Sequence, residues 1–403
     1  MNTPVRPADD RSAGFGTVLR GVQIGGAAEP VDILISGAHI KAIEHSAENG
    51  GGVVLPLMSD IHVHLDKTYT VDRTGSDASS LFDAIDRMDA DKAHWTPQDI
   101  RKRATRALEK AYAHGVSVMR THVDWTEPDV PLAWSVLNEL AQEWRGRIHL
   151  QLVALCPLDL IAEAGEPIAV RTSADGGVLG AFVYRNDDLV EKMRQTFALA
   201  DHNDLALDFH VDEGLEDEAR GFEAIVAEAE KRGGDRQVLC GHVCSLSLRP
   251  PDEAARLLAR AARAKVGLVC LPTTNSYLQD RNDGRTPRLR GLAPVREARA
   301  AGMDVFLASD NVADVFYPYG DYDPFDVLRA GVMAAHLEPK DWLDAISGSA
   351  ARWCGAETGD LAVGAKADFL RFDATDLRDL ISRPGTPREV WRDGKIDFER
   401  TNP

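Results

Sequence analysis

The stretch Asp60-Ile61-His62-Val63-His64-Leu65-Asp66-Lys67 follows the apolar run Val53-Val54-Leu55-Pro56-Leu57-Met58, so it reads as the C-terminal end of a buried strand. Side chains along a strand alternate between its faces, which puts His62 and His64 on the same side. Two imidazoles on one face can share a cation, and they can equally be a structural pair; spacing alone leaves both open. What decides between them is the company the pair keeps at the ends of other strands.

Working outward, apolar strand-like runs recur at 53–64, 116–124, 148–156, 178–184, 205–211, 237–243, 265–273 and 303–310. The segments between them are long enough for helical crossovers, and several are amphipathic: Thr96 to Ala113, Pro131 to Glu143, Leu189 to Ala200, Glu216 to Arg232 and Pro251 to Ala264. Strand and helix in alternation predict a parallel sheet, and eight such strands predict an α/β fold of the (β/α)8 TIM-like barrel type. Short apolar strands with Gly turns occupy residues 16–45, and similar fragments lie at Gly364 to Asp373 and Glu389 to Phe398. Together they predict a small antiparallel sheet domain, a composite β-sandwich from residues 1–54 and 361–403, beside a barrel catalytic domain at 55–360.

With 403 residues, 44% of them hydrophobic, the chain can bury a large core. Its formal net charge of -18 excludes nucleic acid and anionic membrane as natural partners, because both demand clustered Lys and Arg. No stretch approaches the roughly 18 to 20 apolar residues of a membrane span, and Met1 to Gly14 lacks the apolar centre of a signal peptide. The cysteines Cys156, Cys240, Cys244, Cys270 and Cys354 are odd in number and sit mostly in apolar runs, which reads as reduced core cysteine in a cytoplasmic protein. A small-molecule partner fits this composition, and a homo-oligomer is compatible with it.

In such a barrel the chemistry sits at the C-terminal ends of the strands. Those ends carry His62-Val63-His64, Arg120-Thr121-His122-Val123-Asp124, Asp208-Phe209-His210-Val211-Asp212-Glu213, Cys240-Gly241-His242 and Ala308-Ser309-Asp310-Asn311. With Leu81-Phe82 and Leu278-Gln279-Asp280-Arg281 added, in this order and nearly end to end, the chain resembles the amidohydrolase superfamily and, within it, the cytosine deaminase-like group.

The resemblance implies a mononuclear site in which His62, His64, His210 and Asp310 bind one divalent metal ion, Zn or Fe, leaving a position for water. Asp310 would take the proton of that water. Glu213 would shuttle protons to a ring nitrogen and to the departing amine, and His242 would orient the water and stabilise the developing oxygen. Relatives with two metals carry a bridging lysine at the end of the fourth strand; Val178 to Tyr184 has none, so a single metal is expected. His122 reads as a hydrogen-bonding residue of the barrel interior, and Asp66 and Lys67 as local pairing groups.

The implied reaction is metal-dependent hydrolytic deamination of an amino-substituted nitrogen heterocycle of pyrimidine, pterin or triazine type, releasing ammonia or an amine. A cyclic amide hydrolase using the same site is the second reading, and a non-catalytic scaffold homologue the third. Substrate contacts are expected from Leu81, Leu158, Gln279, Asn311 and Phe316. Cytosine-specific relatives carry Gln, Asp and Trp where this chain has Leu158, Asn311 and Phe316. A site built to hydrogen-bond a ring discriminates strongly, so these departures predict poor turnover of cytosine.

Overall fold

A computed structural model describes residues 16–282, 284–358 and 360–400; the polar stretch Met1 to Gly14 lies outside them. The chain divides into two compact units, Met1–Leu57 with Glu357–Pro403, and Met58–Ala356.

The first unit begins with β1 (Thr17–Ile24), β2 (Val31–Ser36), β3 (His39–His45) and β4 (Val53–Pro56). The β1–β2 and β2–β3 pairs are antiparallel, whereas β1 and β4 run parallel through Gln23 and Val53. The β1–β2 register breaks between Leu19 and Val22. Gly21 lies in that break with φ of 61°, and a methyl group there would stand 2.9 Å from the Glu48 carbonyl, so only glycine fits.

The barrel strands follow: β5 (Met58–Val63), β6 (Val116–Asp124), β7 (His149–Pro157), β8 (Val178–Val183), β9 (Leu207–Val211), β10 (Val238–His242), β11 (Val266–Cys270) and β12 (Val305–Leu307). They form one eight-stranded sheet in sequence order, every neighbour parallel. The ring closes just past the end of β12, where Val63 bridges Asp310 and the Asp310 N–H donates to the His62 carbonyl at 2.8 Å. The apolar run at 53–64 is therefore two strands, β4 in the terminal sheet and β5 in the barrel. Alternation along β5 turns Ile61 to an apolar cluster with Val118, Leu239 and Phe306. It turns Asp60 and His62 to the opposite face.

The outer helices show why the amphipathic segments were readable. Pro251–Arg263 buries Ala254, Leu257, Leu258 and Ala261, one stripe at helical spacing. Pro97–His114 starts at Thr96, whose side chain accepts the Asp99 N–H at 3.1 Å, and stops at Gly115, φ 91°. The helix expected from Glu216 begins instead at Gly221. Asp212, at the end of β9, accepts the Gly221 and Phe222 N–H groups at 3.0 Å and so fixes the start of that helix.

The chain then returns to the first sheet with β13 (Phe369–Phe372), β14 (Arg388–Arg392) and β15 (Lys395–Arg400). The strand order is β15-β14-β13-β4-β1-β2-β3. The expected antiparallel sheet is thus a mixed, seven-stranded one, because β1 and β4 lie side by side in the same direction. One core gathers Ile33, Ile35 and Ile40 from one end with Phe369 and Trp391 from the other, and Gly394 packs against Gly37. Strands so far apart in the order meet only if the sheet rolls over onto itself, which gives it the two-layered character of a sandwich.

Candidate active site

The strand ends place a cluster of buried imidazoles at the mouth of the barrel. His62 is the fifth residue of β5 and His64 follows that strand directly; His210 is the fourth residue of β9 and His242 the last of β10. His242 and Asp310 adopt left-handed backbone angles, φ 69° and 61°, uncommon for residues other than glycine. These turns end the strands abruptly and put both side chains on the cavity wall.

His210 Nε2 lies 3.1 Å from His62 Nε2 and 3.1 Å from His64 Nε2. Asp310 Oδ1 is 3.2 Å from His64 Nε2 and 3.7 Å from His62 Nε2. Nitrogens about 2.0–2.1 Å from a shared tetrahedral cation would be spaced by about 3.3 Å, so these separations suit common ligation. A neutral imidazole has one N–H, and His210 cannot donate to both neighbours at once. Burial holds His62, His64 and His210 well below the usual histidine pKa, reinforced by charge on neighbouring groups, so all three offer lone pairs at neutral pH. Neither oxygen of Asp310 has a well-formed hydrogen bond among the described residues. A divalent cation fits this donor set and relieves the unpartnered charge.

Among the described residues, two overlapping groups have donor atoms within 4.8 Å of one another: His62, His64, His122 and His210, and His62, His210, His242 and Asp310. His242 is set apart by its tautomer. Asn275 Nδ2 donates to its Nδ1 at 3.0 Å, which leaves the proton on Nε2, an atom with no protein partner. His242 is therefore equipped to donate a hydrogen bond, and burial keeps it uncharged, its pKa pushed down to about 4. Asn275 was missed from the sequence; the polar run after the seventh strand was its one signal.

Glu213 stands just past β9 with Oε1 3.6 Å from His242 Nδ1. Burial, with the charge of Asp310, pushes its pKa up to about 8, which favours the protonated carboxyl. Lys67 Nζ pairs with Asp124 Oδ1 at 2.7 Å and stands 3.3 Å from His64 Nδ1. The ion pair of Lys67 is therefore not local: its carboxylate partner Asp124 comes from the end of β6, on the wall of the site, and only the approach to His64 is local.

A cavity of about 270 Å³ opens over this cluster. His64, His210, Glu213, His242 and Asp310 line it, with Asn311, Phe316 and Leu81. Its other walls are largely apolar, from Phe82, Ile85 and Met88 on the helix Leu81–Asp91 and from Pro157 and Phe182 at the ends of β7 and β8. Phe82 is 45% exposed.

Two expected contacts lie elsewhere. Leu158 is fully buried as the first residue of the helix Leu158–Ala174, and Pro157 takes the wall position beside it. Gln279 donates through Nε2 to the Glu213 carbonyl at 2.6 Å, so it holds the segment carrying Glu213 and does not line the cavity.

An amidohydrolase family model matches residues 167–398. A pterin deaminase of Rhizobium rhizogenes (strain K84) is 38% identical over 87% of this chain and 82% of its own length. N-isopropylammelide isopropyl amidohydrolase of Pseudomonas sp. (strain ADP) is 24% identical over 96% of this chain and 98% of its own. Among solved structures, 5-methylcytosine deaminase from Klebsiella pneumoniae liganded with 5-fluorocytosine superposes with a TM-score of 0.84 at 26% identity, over 96% of this chain and 98% of that one. Strand order, donor cluster and these relatives agree: the chain belongs to the amidohydrolase family, in its cytosine deaminase-like group.

Proposed function

We propose that the chain is a hydrolytic deaminase of a pterin-type substrate, a flat bicyclic heterocycle bearing an amino group, from which it releases ammonia and leaves a carbonyl. The observation that carries this is one cavity that joins the His/Asp donor cluster, a protonated carboxyl and an apolar, aromatic-walled mouth. The pterin deaminase relative supports the bicyclic choice.

His62, His64, His210 and Asp310 would hold one divalent cation, zinc or iron. Bound there, it would lower the pKa of a water toward neutrality and so supply hydroxide. Asp310 would take up the proton of the attacking water. Glu213, protonated at rest, gives its proton to the ring nitrogen beside the amino-bearing carbon, which draws electrons from that carbon and opens it to attack. The proton gathered at Asp310 then passes through Glu213 to the amine, which leaves as ammonia; the hydroxyl on the attacked carbon gives its proton back to Glu213, leaving a carbonyl, and the ring nitrogen keeps its proton. His242 donates through Nε2 to the oxygen as charge develops on it, in the orientation that Asn275 sets. Phe316, Phe82 and Phe182 offer faces and edges to a flat ring system.

Support for a cytoplasmic setting comes from five free, buried cysteines. No helix of the described residues is long and apolar enough to cross a membrane.

The test is ammonia release, by coupled assay, from a panel of pterin, cytosine, guanine and an aminotriazine with zinc or iron supplied. Pterin is expected to give the highest kcat/KM, with cytosine at least about 100-fold lower, the discrimination expected where a hydrogen-bonding partner is missing. Efficient cytosine turnover, or ring opening without ammonia, would rule the reading out.

A further inference from the structure

Below the donor cluster the barrel interior holds charge where such barrels usually hold layers of branched apolar side chains. Arg120 and His122 point inward from β6 and Asp208 from β9. Arg120 Nη1 donates to Asp208 Oδ2 at 2.8 Å, and its Nε donates to Gln151 Oε1 at 2.8 Å. His122 Nε2 stands 3.2 Å from the other oxygen of the same carboxylate, a close contact without hydrogen-bond geometry among the described residues. The three side chains are at most 1% exposed.

Above them, the His122 ring lies against His62, with centroids 4.0 Å apart and planes at 38°, and 4.7 Å from His210. An ion pair this deeply buried recovers little beyond its desolvation cost, and apolar residues of equal volume are often as stabilising. Stability alone therefore does not account for it, whereas its place under the ligand histidines does.

We propose that Arg120, Asp208 and His122 form a positioning device for the metal centre. Gln151 holds Arg120, Arg120 fixes the Asp208 carboxylate, the carboxylate packs close against the His122 ring, and His122 sets the plane of His62 from beneath. The device rests on the functional reading in one respect, that His62 is a metal ligand. Its three members are positioning residues and need not touch substrate.

The experiment loads the full-length protein with Co²⁺ in place of its native metal, then records the visible absorption bands and the rate at which a chelator removes the ion. Asp208→Asn and His122→Gln are expected to release cobalt roughly 10- to 100-fold faster than wild type and to shift the bands, the effect typical of losing a partner behind a ligand histidine. Gln151→Leu, which leaves every charge in place, is expected to move both readouts the same way by less, and it decides the matter if the other variants do not fold. Unchanged bands and release rates, with only the thermal midpoint of the metal-free protein lowered, would show a purely structural network and overturn the proposal. A wild type that binds no cobalt would instead overturn the functional reading, and this inference with it.

Discussion

Glu213 shows how burial makes a reagent of an ordinary side chain. Its carboxyl, pushed up to about 8, is protonated at neutral pH and ionises as pH rises, so proton donation is present below that value and lost above it. An alkaline limb in kcat/KM is expected near or below pH 8, since a cation in the site favours the carboxylate; a profile that stays level well beyond that value would contradict it. Glu213→Gln is expected to abolish turnover while leaving the metal-to-protein ratio unchanged, which elemental analysis beside the ammonia assay checks. Gly241 works by what it lacks: a methyl group there would stand 2.6 Å from His62 Cε1. Gly241→Ala is therefore expected to displace His62 and weaken metal retention by roughly 10-fold or more, taking the effect of a disturbed ligand setting as the guide. A variant that holds its metal as firmly as wild type would show that His62 has room to yield.

At the scale of elements, strands and helices divide the work. The helix Pro97–His114 owes its start to the Thr96 cap, and Thr96→Ala should cost about 1 kcal/mol, read from the denaturant midpoint at unchanged slope. Much of this architecture was legible because the barrel strands are largely apolar runs, and His62, His122 and His210 each sit two residues from another polar residue at a strand end. The boundary inside 53–64 was not legible, since Leu57 alone separates Val53–Pro56 from Met58–Val63 and what parts the two strands is their distant partners. Leu158 was misplaced for a local reason: each residue of a helix turns its side chain by about 100°, so a step from strand into helix at Pro157 redirects the next residue into the core. Asn275 and Gln279 were hidden or misread because their partners, His242 and Glu213, lie 33 and 66 residues away. Donor residues announce themselves by type and strand end, whereas the groups that aim them depend on tertiary contact.

For the barrel as a whole, the proposed ligands come from the first strand, the fifth strand and the segment after the last one, so a bound cation ties together parts of the chain nearly 250 residues apart. A ligand that binds only the native state stabilises it by about 4 kcal/mol at a thousandfold excess over Kd. Chelation is accordingly expected to lower the thermal midpoint by several degrees and re-addition of metal to restore it, as calorimetry would record; a midpoint indifferent to chelator would separate metal from stability. The seam of the ring runs through the same residues. Asp310 donates its N–H to the His62 carbonyl at 2.8 Å, and Ser309 donates to Asp60 Oδ1 at 2.9 Å. Because His62 and Asp310 would offer their side chains to the cation and their backbones to each other, emptying the site also slackens the joint. Deuterium uptake at the Ser309 and Asp310 amides would then serve as a clock for occupancy, slow when metal is bound and quick once it has gone, without any substrate being turned over.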